Sequence, residues 1–225
     1  MRSNGEKLTE PIFLHISAFD GDLACVSPDY EHYGFINREG KYVTDLVYEE
    51  GTNFSHNGLC AFKKDGKWGS IDNTGKEVLP ASLDYDEVYF ARDGLSLALK
   101  DDKVGYIDTT GKLVIPMNFD RDSDSFKEDG TARVAIDQQW GHIDRNGNFL
   151  IPAKYDDVSY VFEGLVKVEK DGKYGFSNLE GEEVIPLIYD RASRFEDSMV
   201  SVEKDGKSFY INKFGTALTA GTDVN

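Results

Sequence analysis

The stretch GLVKVEKDGKYGFSN, Gly164 to Asn178, sets two runs of β-forming residues on either side of Asp171-Gly172. Asp-Gly between such runs predicts a tight hairpin, because type I′ geometry needs positive φ at both central residues. Asp65-Gly66 and Asp205-Gly206 repeat the signal. A second turn follows, written NREG, DNTG, DTTG or DRNG. Its first side chain can bond the turn backbone and its glycine can turn left-handed. Then comes a third run, KEVLP, KLVIP or EEVIP. Its closing proline removes a ladder donor, so pairing is expected to stop there or to lie at a sheet edge. The connection KYDDVSYVF is expected to hold a short fourth strand, with Val158, Tyr160 and Phe162 alternating.

The middle strand, as in KWGSID, VGYID and KYGFSN, is apolar at alternate positions, and glycine and usually isoleucine fill the places between. Both faces are therefore apolar or smooth, which predicts an interior strand. The glycine is expected to let a neighbouring unit approach closely, so that repeats pack face against face.

These features keep a beat. The second-turn glycine recurs at Gly40, Gly75, Gly111, Gly147, Gly181 and Gly215, in steps of 35, 36, 36, 34 and 34. The aromatic-glycine pair recurs at Tyr33-Gly34, Trp68-Gly69, Trp140-Gly141 and Tyr174-Gly175, with Val104-Gly105 third and Ser208-Phe209 sixth. Prolines stand at Pro80, Pro116, Pro152 and Pro186, and units close on Phe19, Phe54, Phe90, Phe126, Phe162 and Phe195. Repetition at this spacing predicts an all-β protein of six hairpin-based repeats. Pro11 to Phe19 matches the closing half of a unit, and the last unit breaks off at Ala220, on the proline rung. The N-terminal segment is thus expected to complete the last repeat, which favours a propeller-like closed ring. The alternative is an open, curved, solenoid-like array, which ordinarily carries polar caps. One domain is expected over 11–220, between a flexible N-terminus at 1–10 and a tail at 221–225.

KDGKWGSIDNTGKEVLP and KYGFSNLEGEEVIPLIYD resemble the WG (KWG) repeat family, across nearly the whole chain from Pro11 to Ala220. The resemblance implies a largely bacterial, β-rich binding or scaffold repeat, with no catalytic residues to carry over. Val104 in place of the aromatic, Asp45 in place of proline and SFY at 208–210 depart from the pattern.

Composition adds limits. The chain has 225 residues, a mean hydropathy of -0.47 and a net charge of -16. Such acidity disfavours nucleic-acid backbones and anionic membranes, and suits a basic protein partner. No run has the length of a signal peptide or a membrane span. Two cysteines, Cys25 and Cys60, are too few for a disulfide framework and are expected as buried thiols on opposite sheet faces, in a cytoplasmic protein.

Catalytic patterns are missing. His15, His32, His56 and His142 lack metal-ligand spacing, and His142 occupies an aromatic repeat position that predicts packing. Asp120, Asp122 and Asp124 open like a calcium loop, but Ser125 and Thr131 stand where Gly and Glu belong. Asp156-Asp157 lacks the separation across a cleft that glycoside hydrolysis needs. The chain is expected to be no enzyme, with no cofactor and no metal.

Charge is uneven within the unit. Lysines gather at the first hairpin, among them Lys63, Lys67, Lys100, Lys170 and Lys173. Acids gather in the connections: Glu49, Glu50, Asp84, Asp86, Glu87, Asp120, Asp122, Asp124, Asp156 and Asp157, with Tyr85, Tyr89 and Tyr160 beside them. Equivalent loops align in a repeat array, so an acidic rim with tyrosines is expected as the partner-binding surface. The reading is a monomeric protein-binding module, in one form an immunity-type inhibitor of a basic toxin or nuclease. Its alternative is a carbohydrate or small-ligand binder using inter-repeat clefts.

Overall fold

The computed structural model describes residues 12–19, 22–51, 59–89 and 94–218. Pro11, Phe54, His56, Phe90, Ala220 and the two tails lie outside the described residues. Six antiparallel sheets follow one another along the chain. The first holds β1 (His15–Ile16), β2 (Leu23–Ser27) and β3 (Gly34–Asn37). The second holds β4 (Glu50–Gly51), β5 (Leu59–Lys64), β6 (Lys67–Asp72) and β7 (Glu77–Leu83). The third holds β8 (Glu87–Tyr89), β9 (Ser96–Lys100), β10 (Lys103–Ile107) and β11 (Leu113–Asp120). The fourth holds β12 (Ala132–Ile136), β13 (Gln139–Ile143) and β14 (Phe149–Tyr155). The fifth holds β15 (Asp157–Phe162), β16 (Leu165–Lys170), β17 (Lys173–Ser177) and β18 (Glu183–Tyr189). The sixth holds β19 (Arg191–Ala192), β20 (Met199–Lys204) and β21 (Lys207–Asn212). No described residue is helical.

Strands pair in sequence order within each sheet, connection strand first. His15–Ile16 accordingly pairs with β2 and opens the first sheet. The fourth strand expected in KYDDVSYVF is β15, and it begins a sheet rather than ending one. In the first and sixth sheets the third run shrinks to isolated bridges, Tyr33 to Tyr48, Ile36 to Tyr42 and Ile211 to Ala217. These are the two units whose sequences depart most from the pattern.

Both turns form as their residues dictate. Asp65, Asp171 and Asp205 and their glycines all have positive φ. So do Asp101-Asp102 and Asp137-Gln138, which make the same bend without glycine. In the second turn, Asp72 Oδ1 accepts from the Thr74 amide at 2.8 Å and the Lys76 amide at 3.1 Å, and Gly75 N–H donates to the Asp72 carbonyl. Asp108, Asp144, Asn37, Asn178 and Asn212 repeat the motif.

The middle-strand glycine serves a different neighbour from the one expected. A Cβ on Gly141 would lie 2.4 Å from the Ile151 carbonyl, and one on Gly175 2.6 Å from the Ile185 carbonyl. Those atoms belong to β14 and β18, the last strand of the same sheet in each case. Register explains the approach: Trp140 faces Tyr155 and His142 faces Ile151, so two extra residues bulge from β14 at the proline. The proline lies inside an edge strand that pairs on both sides of it, so pairing continues past it, where the missing donor costs no ladder bond.

The chain forms two compact units, Met1–Met117 and Asn118–Asn225. In the first, Leu23, Cys25 and Phe35 of the first sheet bury against Cys60, Phe62 and Ile71 of the second. The two thiols point to opposite faces of their own sheets and so share this layer as free, buried cysteines. Burial pushes the Cys25 thiol up to about 12. The second sheet meets the third through Ala61, Trp68, Val88 and Ile107. In the second unit, Ile151 and Tyr155 pack on Val158, Val166 and Val168, and Phe176 and Ile185 pack on Phe195, Val202 and Ile211. Middle strands are covered on both faces, and each buried isoleucine contributes about 2 kcal/mol. The sixth sheet is the exception, with Tyr210 57% exposed where its counterpart Phe176 is 1%.

Candidate functional site

The acidic connections have an internal duty. Glu49 Oε2 accepts from the Gly66 amide at 3.1 Å. Asp86 accepts from Asp101 N–H at 2.9 Å, Asp120 from Gln138 N–H at 2.9 Å, and Asp156 from Asp171 N–H at 2.7 Å. Asp190 does the same for Asp205 N–H at 2.8 Å. Glu49, Asp86, Asp156 and Asp190 each stand just ahead of a sheet and cap that sheet's own hairpin turn, while Asp120, at the end of β11, caps the turn of the sheet that follows; no ladder partner reaches these amides.

Connections and hairpins therefore meet at one edge, and lysines interleave with the acids there. In the first unit, Lys100 Nζ lies 2.7 Å from Asp84 and Lys67 Nζ 3.9 Å, while Lys63 pairs with Glu50 at 3.2 Å. The bond from Lys100 holds the Asp84 carboxyl below its usual range. Tyr85 packs partly buried against the core, and exposed Tyr89 donates to Glu87. In the second unit Lys173 bonds Asp190 at 2.5 Å and lowers its carboxyl, while Lys170 lies 3.7 Å from Asp156.

The remaining predicted acids gather in the second unit around two neighbouring features. One is an open cleft of about 600 Å³, bounded by Asp120, Asp122, Asp137, Asp156, Arg121 and Trp140. Four carboxylates and the Trp140 side chain thus border one cleft. The other is Arg133, whose guanidinium lies 5.0 Å from the Trp140 ring and 4.6 Å from the Tyr160 ring. Arg133 Nε donates to Asp124 at 2.7 Å, and Nη1 donates to the Val158 carbonyl at 2.8 Å and lies 3.9 Å from Asp157. Asp124 and Asp157 are thus committed to Arg133. Lys127 covers Tyr160 at 4.7 Å.

Trp140, Asp137 and Arg133 are additions to the predicted set. Trp140 is the repeat aromatic, and its pairing with the bulged β14 keeps it beside the edge. Asp137 reaches the cleft because Asp137-Gln138 takes the hairpin bend that Asp-Gly takes elsewhere; the shared offset from Trp140 was its signal.

His142 is completely buried. A ring nitrogen next to a carbonyl must donate, so Nε2 carries the proton given to the Ser159 oxygen at 2.8 Å. Among the described residues no three His, Cys, Asp or Glu side chains come together as metal ligands.

Sequential antiparallel sheets, stacked face to face within each unit and built on recurring turns, define an all-β repeat protein. The chain belongs to the family of WG containing repeats, whose profile matches five consecutive times, at 33–68, 68–103, 105–140, 140–174 and 174–207. No curated protein matches the chain. Among solved structures, a eukaryotic initiation factor is similar at 13% identity and TM-score 0.52, over 82% of this chain and 59% of that one. Hsv2 with loop 6CD replaced by a Gly-Ser linker is similar at 11% identity and TM-score 0.42, over 76% of this chain; this chain spans 64% of its length. The WD40 β-propeller domain of Doa1 follows at 13% identity and TM-score 0.39, over 88% of this chain and 81% of that one. At 13% identity the likeness to the initiation factor is one of fold alone.

Proposed function

We propose that this chain is a non-catalytic protein-binding module of the cytoplasm that holds a basic segment of its partner in the cleft of the second unit. The observation that carries the reading is the convergence of Asp120, Asp122, Asp137 and Asp156 with half-buried Trp140 on one open cleft. A lysine or arginine side chain suits such a cleft twice, by charge and by its attraction to an indole face. The net charge of -16 would steer a basic partner toward it. In its finer form the partner is a basic toxin or nuclease, and the chain is its immunity-type inhibitor.

Titration calorimetry with a lysine-rich peptide, against a glutamate-rich peptide of equal length, tests the site. Binding of the basic peptide is expected to weaken at least about tenfold, or 1.4 kcal/mol, in Asp122→Lys/Asp137→Lys. It should weaken likewise as salt rises. Failure to bind, or binding indifferent to both changes, overturns the reading. Stoichiometric inhibition of a basic toxin from the adjacent reading frame is the outcome expected of the finer form.

The same proposal sets the six sheets around a propeller-like ring. Six sheets of one strand order, stacked in series within each unit, support it.

A further inference from the structure

His142 stands where the first, second, third and fifth repeats place Phe35, Ser70, Tyr106 and Phe176. All five side chains are buried. Of these side chains only the imidazole of the fourth repeat can take up a proton and become a cation near neutral pH. Its Nε2 is used on the Ser159 carbonyl of β15, and its Nδ1 is enclosed with no hydrogen-bond partner. Directly across the ladder is Arg133 of β12, which donates to the next carbonyl of β15, that of Val158. The fourth sheet therefore grips the opening strand of the fifth with two side chains, one permanently charged and one able to become so.

We propose that His142 is an acid-sensitive joint of the second unit: a proton on Nδ1 would bury a second cation and an unsatisfied N–H against Arg133, and β15 would loosen from the fourth sheet.

The surroundings set the direction. Burial holds the ring's proton affinity below the ordinary 6.5; the Ser159 bond pulls it up, Arg133 pushes it down, and Asp129 and Asp124 pull it up again. Asp124 is already bonded to Arg133 at 2.7 Å. From β15, Asp157 lies 3.9 Å from the same guanidinium and Tyr160 stacks on it. From β14, the residue facing His142 is Ile151, which offers nothing to a new proton. In the unfolded chain the imidazole takes its proton near 6.5, whereas the folded chain resists. Stability supplied by the neutral ring is thus complete above 6.5 and declines as pH falls from there toward the lowered value. Trp140 lies on the same face of β13, two residues away, and Asp156, which borders the cleft, immediately precedes β15, so release of β15 also reaches the cleft.

The test uses the full chain and no ligand. Hydrogen exchange of the Asp157–Phe162 amides, corrected for intrinsic rate, is measured at about pH 7 and about pH 5, the span over which histidine titrates. Wild type is expected to lose protection, by up to about tenfold for each unit of pKa lowering. His142→Phe, which restores the residue of the first and fifth repeats, is expected to show no such loss. Equal loss in both proteins overturns the proposal, as does unchanged protection in wild type. If His142→Phe fails to fold, NMR titration of the wild-type His142 ring decides: a midpoint at or above 6.5 overturns the proposal, and one below it supports it.

Discussion

Gly175 turns a sequence signature into a steric fact. Its missing Cβ leaves room for the Ile185 carbonyl, Pro186 and the Leu187 amide to fold over the strand. Gly175→Ala puts a methyl 2.6 Å from that oxygen, so β18 must retreat. The cost expected is about 1–3 kcal/mol, read as a lower urea midpoint with an unchanged slope. By contrast the turn at Asp144 tolerates a substitution that the chain itself makes elsewhere. Asn37, Asn178 and Asn212 accept the same two amides with an amide oxygen. Asp72 and Asp108 are held below the usual carboxylate range chiefly by the hydroxyls of Thr74 and Thr110. Asp144 is lowered too: burial works against the shift, and the bonds from Asn148 and Asn146 outweigh it. Depressed carboxyls stabilise the fold above their unfolded value of 3.8, and that stability is lost as pH falls through the folded values. The Asp72→Asn/Asp108→Asn/Asp144→Asn variant keeps the amide bonds without the charge, so it should fold, show a somewhat lower midpoint than wild type in neutral urea titrations, and lose less stability as pH falls below 3.8.

At the scale of the strand and turn, the sequence was most legible where a local rule acts alone. Asp-Gly bends, Asx-Gly turns and doubly buried middle strands follow from two or three adjacent residues. What depends on pairing was harder to read. Nothing in KEVLP says that two residues will bulge at its proline, because the bulge exists only opposite a glycine on another strand. The connection carboxylates showed the same difficulty. Asp86, Asp120 and Asp156 look solvated along the chain, yet each caps an amide 15 to 18 residues ahead. Lysines of the hairpins were legible as a cluster, but their meeting with Asp84 and Asp190 came from the fold. The cleft was half legible: Asp120, Asp122 and Asp156 stood in the predicted set, while Asp137 and Trp140 joined it through the bend of β12 into β13.

For the molecule as a whole, the proposed ring makes a prediction about size. A 225-residue chain packed as a compact body has a radius of gyration of about 17 Å. Small-angle scattering near that value is the result expected of a ring; a distinctly larger radius with a rod-like profile would replace it with an open array. The polar sixth face belongs to this question, since Ser193, Ser201 and Ser208 line a hollow of about 280 Å³ where four of the other repeats carry an aromatic and the third carries Val104. Strand order has a consequence of another kind. Because, among the described residues, each sheet draws its strands from one contiguous stretch and lends none to a neighbour, a gene for such a chain can gain or lose a whole unit by unequal recombination. The new junction would fall between one bulged edge strand and the next capping carboxylate, and no hydrogen-bond ladder would have to be rewritten for the offspring to fold.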